Sequence, residues 1–234
     1  MYFLPETFNL NDEEQMSEFK LRLLNDGGVN QPWVLKEPNV NQGKGITMLA
    51  PNSDALRESY KKGEEDDYII QQYICNEMTW SKRKFDTRMY WFVASTDPLV
   101  VFYIDGYARI GNANYKENDF NNTRDHLTTH TFLGEEGKGS FDDLAEKITE
   151  RYYSSSELQK RIQDPVVHVR NQYKEAIGRL IDAFKDKTFT TGNDMSAEDC
   201  FELYGADFVI DNDLDVWLIE PQDDCGMDGK CLCL

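Results

Sequence analysis

Two apolar runs that meet at Thr96-Asp97-Pro98 constrain this chain more than any other feature. Residues 85–95 and 98–105 are rich in aromatic and β-branched side chains, the composition that suits a pleated, half-buried surface. The turn residues between them mark a hairpin. A hairpin is antiparallel, so the chain does not read as a strictly alternating parallel α/β fold. Residues 206–210 and 216–219 repeat the pattern around Asp211-Asn212-Asp213, where Asp and Asn favour a turn. Shorter runs at Trp33-Val34-Leu35, 46–49 and 68–74 read as further strands.

Helices are expected between these strands. Asn11 with Glu14 has the spacing of a helix cap and its reciprocal acid, and Gly27-Gly28 closes the segment, which predicts a helix over 12–25. Others are expected over 53–62, through Phe141, Leu144 and Ile148, and over 196–204. The clearest carries Val166, Val169, Tyr173, Ile177, Leu180 and Phe184 on one face. Residues 111–139 are polar and rich in Asn, Thr and Gly, and read as a long loop. Strands and helices mixed without βα alternation give an α+β fold.

Three clusters could carry chemistry. Lys36 and Gln42-Gly43-Lys44-Gly45 form a lysine and glycine group of the kind that lets backbone N–H approach phosphate oxygens. The glycine spacing is not that of a P-loop. Lys84, Asp86 and Arg88 alternate, so a strand would place them on one face beside apolar neighbours, with Arg109 further along. Such a face either lines a cleft or holds cross-strand ion pairs. Asp207 and Glu220 lie on the last two strands and would converge if those strands pair, as oxygen ligands that suit Mg2+ with nucleotide phosphates. His126 is read as structural, since no nucleophile pattern surrounds it.

Formal net charge is -18, which argues against a nucleic-acid partner and weakens long-range attraction to an acidic one. No apolar run is long enough to cross a bilayer. No basic-plus-apolar leader is present, so the expected compartment is the cytoplasm. The five cysteines are odd in number and three crowd the C-terminus, which disfavours a disulfide framework. Cys231-Leu-Cys-Leu has the form read for prenylation, but its flank is acidic, and no stable membrane association is expected.

Taken in order, the segments LPETFNL, WVLKEPNVNQGKGI, IIQQYI, KFDTRMYWFVASTDPLVVFYIDGYARI, HLTT and FELYGADFVIDNDLDVWLIE resemble the tubulin–tyrosine-ligase-like family of ATP-grasp enzymes. The resemblance implies an ATP-grasp fold, with a glycine-loop subdomain over about 1–75, a C-terminal subdomain over about 76–222 and a divergent tail over 223–234. It also implies that the family's N-terminal subdomain is missing. It implies an ATP- and Mg2+-dependent ligase that joins glutamate, glycine or tyrosine to tubulin or another protein tail through an acyl phosphate, at the cytoskeleton or cilium. The alternatives are a catalytically weak nucleotide-binding or interaction module and a ligase with a small-molecule acceptor.

Site residues follow from the same resemblance. ATP would be held by Lys36, Gln42, Gly43, Gln71, Gln72, Tyr73, Ile74, Lys84, Phe85, Asp86, Thr128 and Thr129. Arg88 and Arg109 would serve the substrate, with Arg109 on the carboxylate of the amino acid or on an acyl phosphate. Asp207, Glu220 and Gln222 would hold Mg2+. The sequence departs from the family's pattern at Gln222 (Asn in the family), at Thr129 (also Asn) and at Gln42 (commonly Arg).

Overall fold

The computed structural model describes residues 3–25, 27–38, 40, 45–64, 66–117, 119–120, 122–128, 133–188 and 201–222. Gln42, Gly43, Thr129, residues 196–200 of one expected helix and the cysteine-bearing tail lie outside them. The chain divides into two compact units. One contains the residues up to Lys84 together with Ile110–Gly137; the other contains Phe85–Arg109 and the residues from Lys138 onward. The division is discontinuous in sequence, with the chain passing from one unit to the other between Lys84 and Phe85 and back between Arg109 and Ile110.

The first unit is built on an antiparallel four-stranded sheet. Its strands are β1 (Thr7–Asn9), β2 (Trp33–Lys36), β3 (Ile46–Leu49) and β4 (Ile69–Gln72), in the order β1-β4-β2-β3. Helix α1 (Glu13–Asn25) buries Phe19 and Leu23. These join Phe8, Leu10, Trp33, Leu35, Leu49, Leu56 and Ile70 in one apolar cluster. Phe19 meets Trp33 edge-on at 5.2 Å, and the Trp33 indole donates to the Gly28 carbonyl at 2.8 Å, so its one polar atom is satisfied. The helix cap is Asp12 rather than Asn11: Asp12 Oδ1 accepts from the Gln15 amide at 3.0 Å, while the Asn11 side chain turns to Asp67. Gly27, at φ 70, supplies the left-handed turn after α1 that a β-carbon would disfavour. The helix expected over 53–62 is α2 (Asp54–Glu58), capped by Ser53, which runs on into a 3-10 turn over Ser59–Glu64.

The second sheet has five strands in the order β7-β6-β5-β8-β9. They are β5 (Arg83–Thr96), β6 (Leu99–Asn114), β7 (Leu133–Gly139), β8 (Glu202–Ile210) and β9 (Val216–Gln222). A short helix, α3 (Thr123–His126), precedes β7. In the second unit, α4 (Phe141–Tyr153), α5 (Ser156–Arg161) and α6 (Pro165–Thr188) follow. Ser140 and Asp143 close a capping box on α4. Tyr173 of α6 is fully buried. Its ring meets Phe208 at 5.0 Å, and its hydroxyl shares a 2.8 Å hydrogen bond with Thr87.

Three expectations need correction. Part of 111–139 is not loop: β6 continues to Asn114 and residues 133–139 form β7. The latter is an edge strand with one paired side, so its Gly- and Glu-rich sequence lacks the apolar alternation that marks a buried strand. Residues 202–204 are not helical but open β8, pairing with Val93, Phe92 and Trp91; the ladder outweighs a local preference. The 68–74 strand shortens to β4, with Tyr73 and Ile74 just beyond it.

Candidate nucleotide and metal site

Register explains the charged face of the second unit. Arg88 of β5 and Asp207 of β8 are direct cross-strand partners, and Asp207 is in turn the partner of Glu220 on β9. The second pairing depends on a bulge. Val216, Trp217 and Leu218 pair in regular order with Ile210, Val209 and Phe208, and the ladder then shifts between Asp207 and Phe208. Without the extra residue, Ile219 would oppose Asp207. With it, Leu218 stays buried and Glu220 comes opposite Asp207, the kind of re-aiming that bulges perform.

The arginines and aspartates form one network. Arg88 holds Asp207 through Nε at 2.7 Å and Nη2 at 2.8 Å. Arg109 of β6 holds Asp86 through Nε and Nη2, both at 2.6 Å, and its Nη2 reaches Asp207 at 2.7 Å. Two guanidinium groups thus balance two carboxylates with side chains between 7% and 14% exposed. Burial lowers the Arg109 pKa, but Asp86 and Asp207 outweigh it and the net shift is upward. For Arg88 the hydrogen bonds to Asp207 lead, and the shift is again upward. Both cations are fixed. Among the described residues, Nη1 of Arg109 makes no further hydrogen bond, which leaves a two-donor edge for a ligand oxygen.

Gly106, in the Gly106-Tyr107-Ala108-Arg109 segment, has a packing reason. A β-carbon there would stand 1.7 Å from the Arg88 carbonyl oxygen. Only glycine lets β6 pass this close to β5, just before Arg109 reaches Asp86.

The first unit holds Lys36, Gln71, Gln72, Tyr73, Ile74, Lys84 and Thr128, while Phe85 belongs to the second. The Lys36 ammonium donates to Gln71 Oε1 at 2.9 Å, and Gln71 Nε2 donates to Thr7, its register partner, at 2.9 Å. Gln72 points elsewhere, to Gln31 at 2.5 Å. Lys84 is buried and donates to the Tyr73 hydroxyl at 3.1 Å. Thr128 is also buried, with its methyl 4.0 Å from the β-carbon position of Gly111. Ile74 is half-buried beside Tyr73. Phe85 is 1% exposed and belongs to the core.

Two buried polar residues beside Lys84 and Tyr73 lie outside the expected site residues: Glu77, which sequence reasoning did not single out, and His126, which it read as structural. Glu77 is 4% exposed and grips the Lys84 ammonium with both carboxylate oxygens, Oε2 at 2.5 Å. His126 is 2% exposed; its Nδ1 lies 2.9 Å from the Tyr73 hydroxyl and its Nε2 3.0 Å from the Asp119 carbonyl. The only available signal for Glu77 was an acid in a polar segment ahead of a lysine. Its pairing is a product of the turn between them.

A divalent cation bound with nucleotide phosphates would draw on Asp207 and Glu220, carboxylates on paired strands, and on the amide oxygen of Gln222, two residues on from Glu220. In this structure both Asp207 oxygens are held by Arg88 and Arg109. A site of this kind completes its shell with phosphate and water oxygens. Among the described residues, no group of three or more His, Cys, Asp or Glu forms a ready-made metal cage. No described helix is long and apolar enough to cross a membrane.

Comparison with known proteins supplies the family. Residues 1–222 match the Tubulin-tyrosine ligase family. The chain is 30% identical over 233 residues to Tubulin polyglutamylase TTLL5 of Mus musculus, covering 94% of this chain and 16% of that protein. It is 27% identical over 256 residues to Protein polyglycylase TTLL10 of Macaca fascicularis, covering 98% and 39%. It is also 27% identical over 257 residues to Inactive polyglycylase TTLL10 of Homo sapiens, covering 98% and 36%. The chain therefore spans well under half the length of these curated relatives. A match that runs from the first strand to the end of the last, through the paired carboxylates of β8 and β9, makes the chain a member of the tubulin-tyrosine ligase family.

Proposed function

We propose that this chain is an ATP- and Mg2+-dependent ligase that joins an amino acid, glutamate or glycine, to tubulin or another protein. The supporting observation is the bulge that sets Glu220 opposite Asp207, beside two fixed arginines. Relatives named as a polyglutamylase and a polyglycylase favour those two amino acids over tyrosine.

The γ-phosphoryl group of ATP passes to a carboxylate, releasing ADP and forming an acyl phosphate. The amine of the second substrate attacks the acyl carbon, the C–O bond to phosphate breaks, and the amine loses a proton as the amide forms. Asp207, Glu220 and Gln222 would hold Mg2+, which would supply charge neutralisation to the transferring phosphoryl group. Lys36, Gln71 and Tyr73 bind and orient the nucleotide. Arg109 offers its Nη1 edge to a substrate carboxylate, its position fixed by Asp86 and Asp207. No protein nucleophile is needed; positioning and preorganised charge carry the rate.

The test is ADP release and acceptor mass after incubation with Mg2+-ATP, tubulin and either glutamate or glycine. Release that depends on both amino acid and acceptor, with mass increments of that amino acid, supports the ligase. A second reading, nucleotide binding without ligation, is favoured by the relative named as inactive and by the hold of two guanidinium groups on both Asp207 oxygens. It predicts ATP binding with no such increments.

A further inference from the structure

Lys84 is a buried and heavily restrained cation of the first unit. Its ammonium is held by both oxygens of Glu77 and donates to Tyr73. It also lies 4.8 Å from the centre of the Tyr73 ring and 5.8 Å from that of Tyr115. A buried carboxylate facing a buried ammonium is not required by the fold, because an apolar pair of similar volume fills such a place at no loss and often at a gain in stability.

Behind Tyr73 the hydrogen bonds have one consistent direction. The Asp119 carbonyl can only accept, so His126 Nε2 carries the hydrogen. Burial holds the imidazole below its ordinary pKa, so the ring is neutral and Nδ1 accepts. Tyr73 then donates to His126 and accepts from Lys84. Its hydroxyl is pushed upward by burial and by Glu77, and stays protonated. The rings of Phe120 and His126 stack at 5.4 Å, which fixes the imidazole plane.

We propose that Glu77 is a positioning residue that, with the His126–Tyr73 relay as a second anchor, sets the Lys84 ammonium for ATP. This rests on the reading of the chain as an ATP-binding ligase, and it assigns roles to two residues outside the nucleotide set given above. Glu77 fixes the ammonium from one side and leaves its charge balanced. His126 fixes the Tyr73 oxygen on the other.

The experiment measures Mg2+-ATP affinity by calorimetry, and unfolding temperature without ligand, for the chain and four variants. Glu77→Gln keeps the shape and removes the charge; its Kd for ATP rises about tenfold to a hundredfold. Glu77→Leu/Lys84→Met replaces the pair with apolar groups; it recovers the unfolding temperature but not ATP affinity. His126→Ala raises Kd about two- to tenfold, and His126→Asn, whose amide oxygen can take the Nδ1 place, recovers most of that loss. Wild-type affinity in Glu77→Gln or in the double variant overturns the proposal. If Glu77→Gln fails to fold, the His126→Ala and His126→Asn pair decides the matter, and wild-type affinity in His126→Ala overturns it. Absence of ATP binding by the unaltered chain overturns the ligase reading and this proposal together, whereas binding that ignores all four substitutions overturns this proposal alone.

Discussion

At the scale of single residues, Asp207 has two possible occupations. In this structure its oxygens belong to Arg88 and Arg109; in the proposed reaction they face a cation. The two are compatible if the arginines stay as a positively charged border while one lone pair of Asp207 turns to the metal, and the price is paid in a densely charged sheet face. Removing Arg109 leaves Asp86 without its bidentate partner. Arg109→Ala is expected to cost about 3 kcal/mol of stability, read by urea unfolding, and to lower turnover far more than ATP affinity. Equal losses in turnover and affinity would refute its assignment to the substrate carboxylate.

His126 gives a pH prediction. Burial, ahead of its other influences, holds the folded imidazole below its ordinary 6.5. Below 6.5 the unfolded chain takes up a proton that the folded chain resists, until the folded value is reached. Stability is therefore full above that window and falls as pH falls through it. Unfolding temperature should drop on acidification from pH 7 to pH 5, by less in His126→Asn than in the unaltered chain. An identical drop in both would remove His126 as a contributor; His168, also held low by burial, is common to the two and cancels.

Residues of one strand were legible in the sequence because alternation alone puts Lys84, Asp86 and Arg88 on one face. Asp207 and Glu220 were legible as members of a strand pair, but not their exact opposition, which needs a bulge that no residue at that place announces. Glu77 and His126 were illegible for a different reason. Each acquires its role from groups brought together by a turn or by tertiary packing, and such pairs leave no periodic trace.

At the scale of elements, the charged site depends on how closely strands approach. Gly106 is the clearest case. Gly106→Ala is predicted to destabilise by about 3 kcal/mol or more, because the clash is with backbone at Arg88 rather than with a side chain that can swing away. Urea unfolding should show a lower midpoint with an unchanged slope. A midpoint within error of the parent would mean that β6 can shift without cost. The strongly patterned elements, β5, α4 and α6, were readable because each buries one face. Residues 133–139 and 202–204 were not, since an edge strand needs no apolar face and the start of β8 is specified by its ladder with β5.

At the scale of the molecule, a net charge of -18 coexists with buried or half-buried cations that are individually paired with acids, Lys84 with Glu77 in one unit and Arg88 and Arg109 with Asp207 and Asp86 in the other. Long-range attraction to an acidic acceptor is not its asset; short-range fixation of charge is. Family membership rests on nearly the whole chain, while the relatives' longer sequences make acceptor choice a property to be measured. The most direct measurement of the central claim is thermal unfolding with and without Mg2+-ATP, for the chain and for Glu220→Gln. Glu220 is exposed, so the substitution should leave basal stability within about 0.5 kcal/mol. At a hundredfold excess over Kd, the parent should gain about 2.7 kcal/mol, a rise of roughly 5–10 °C, and Glu220→Gln should gain much less. No rise in the parent, or an equal rise in both, would contradict a nucleotide held by a metal on the last two strands.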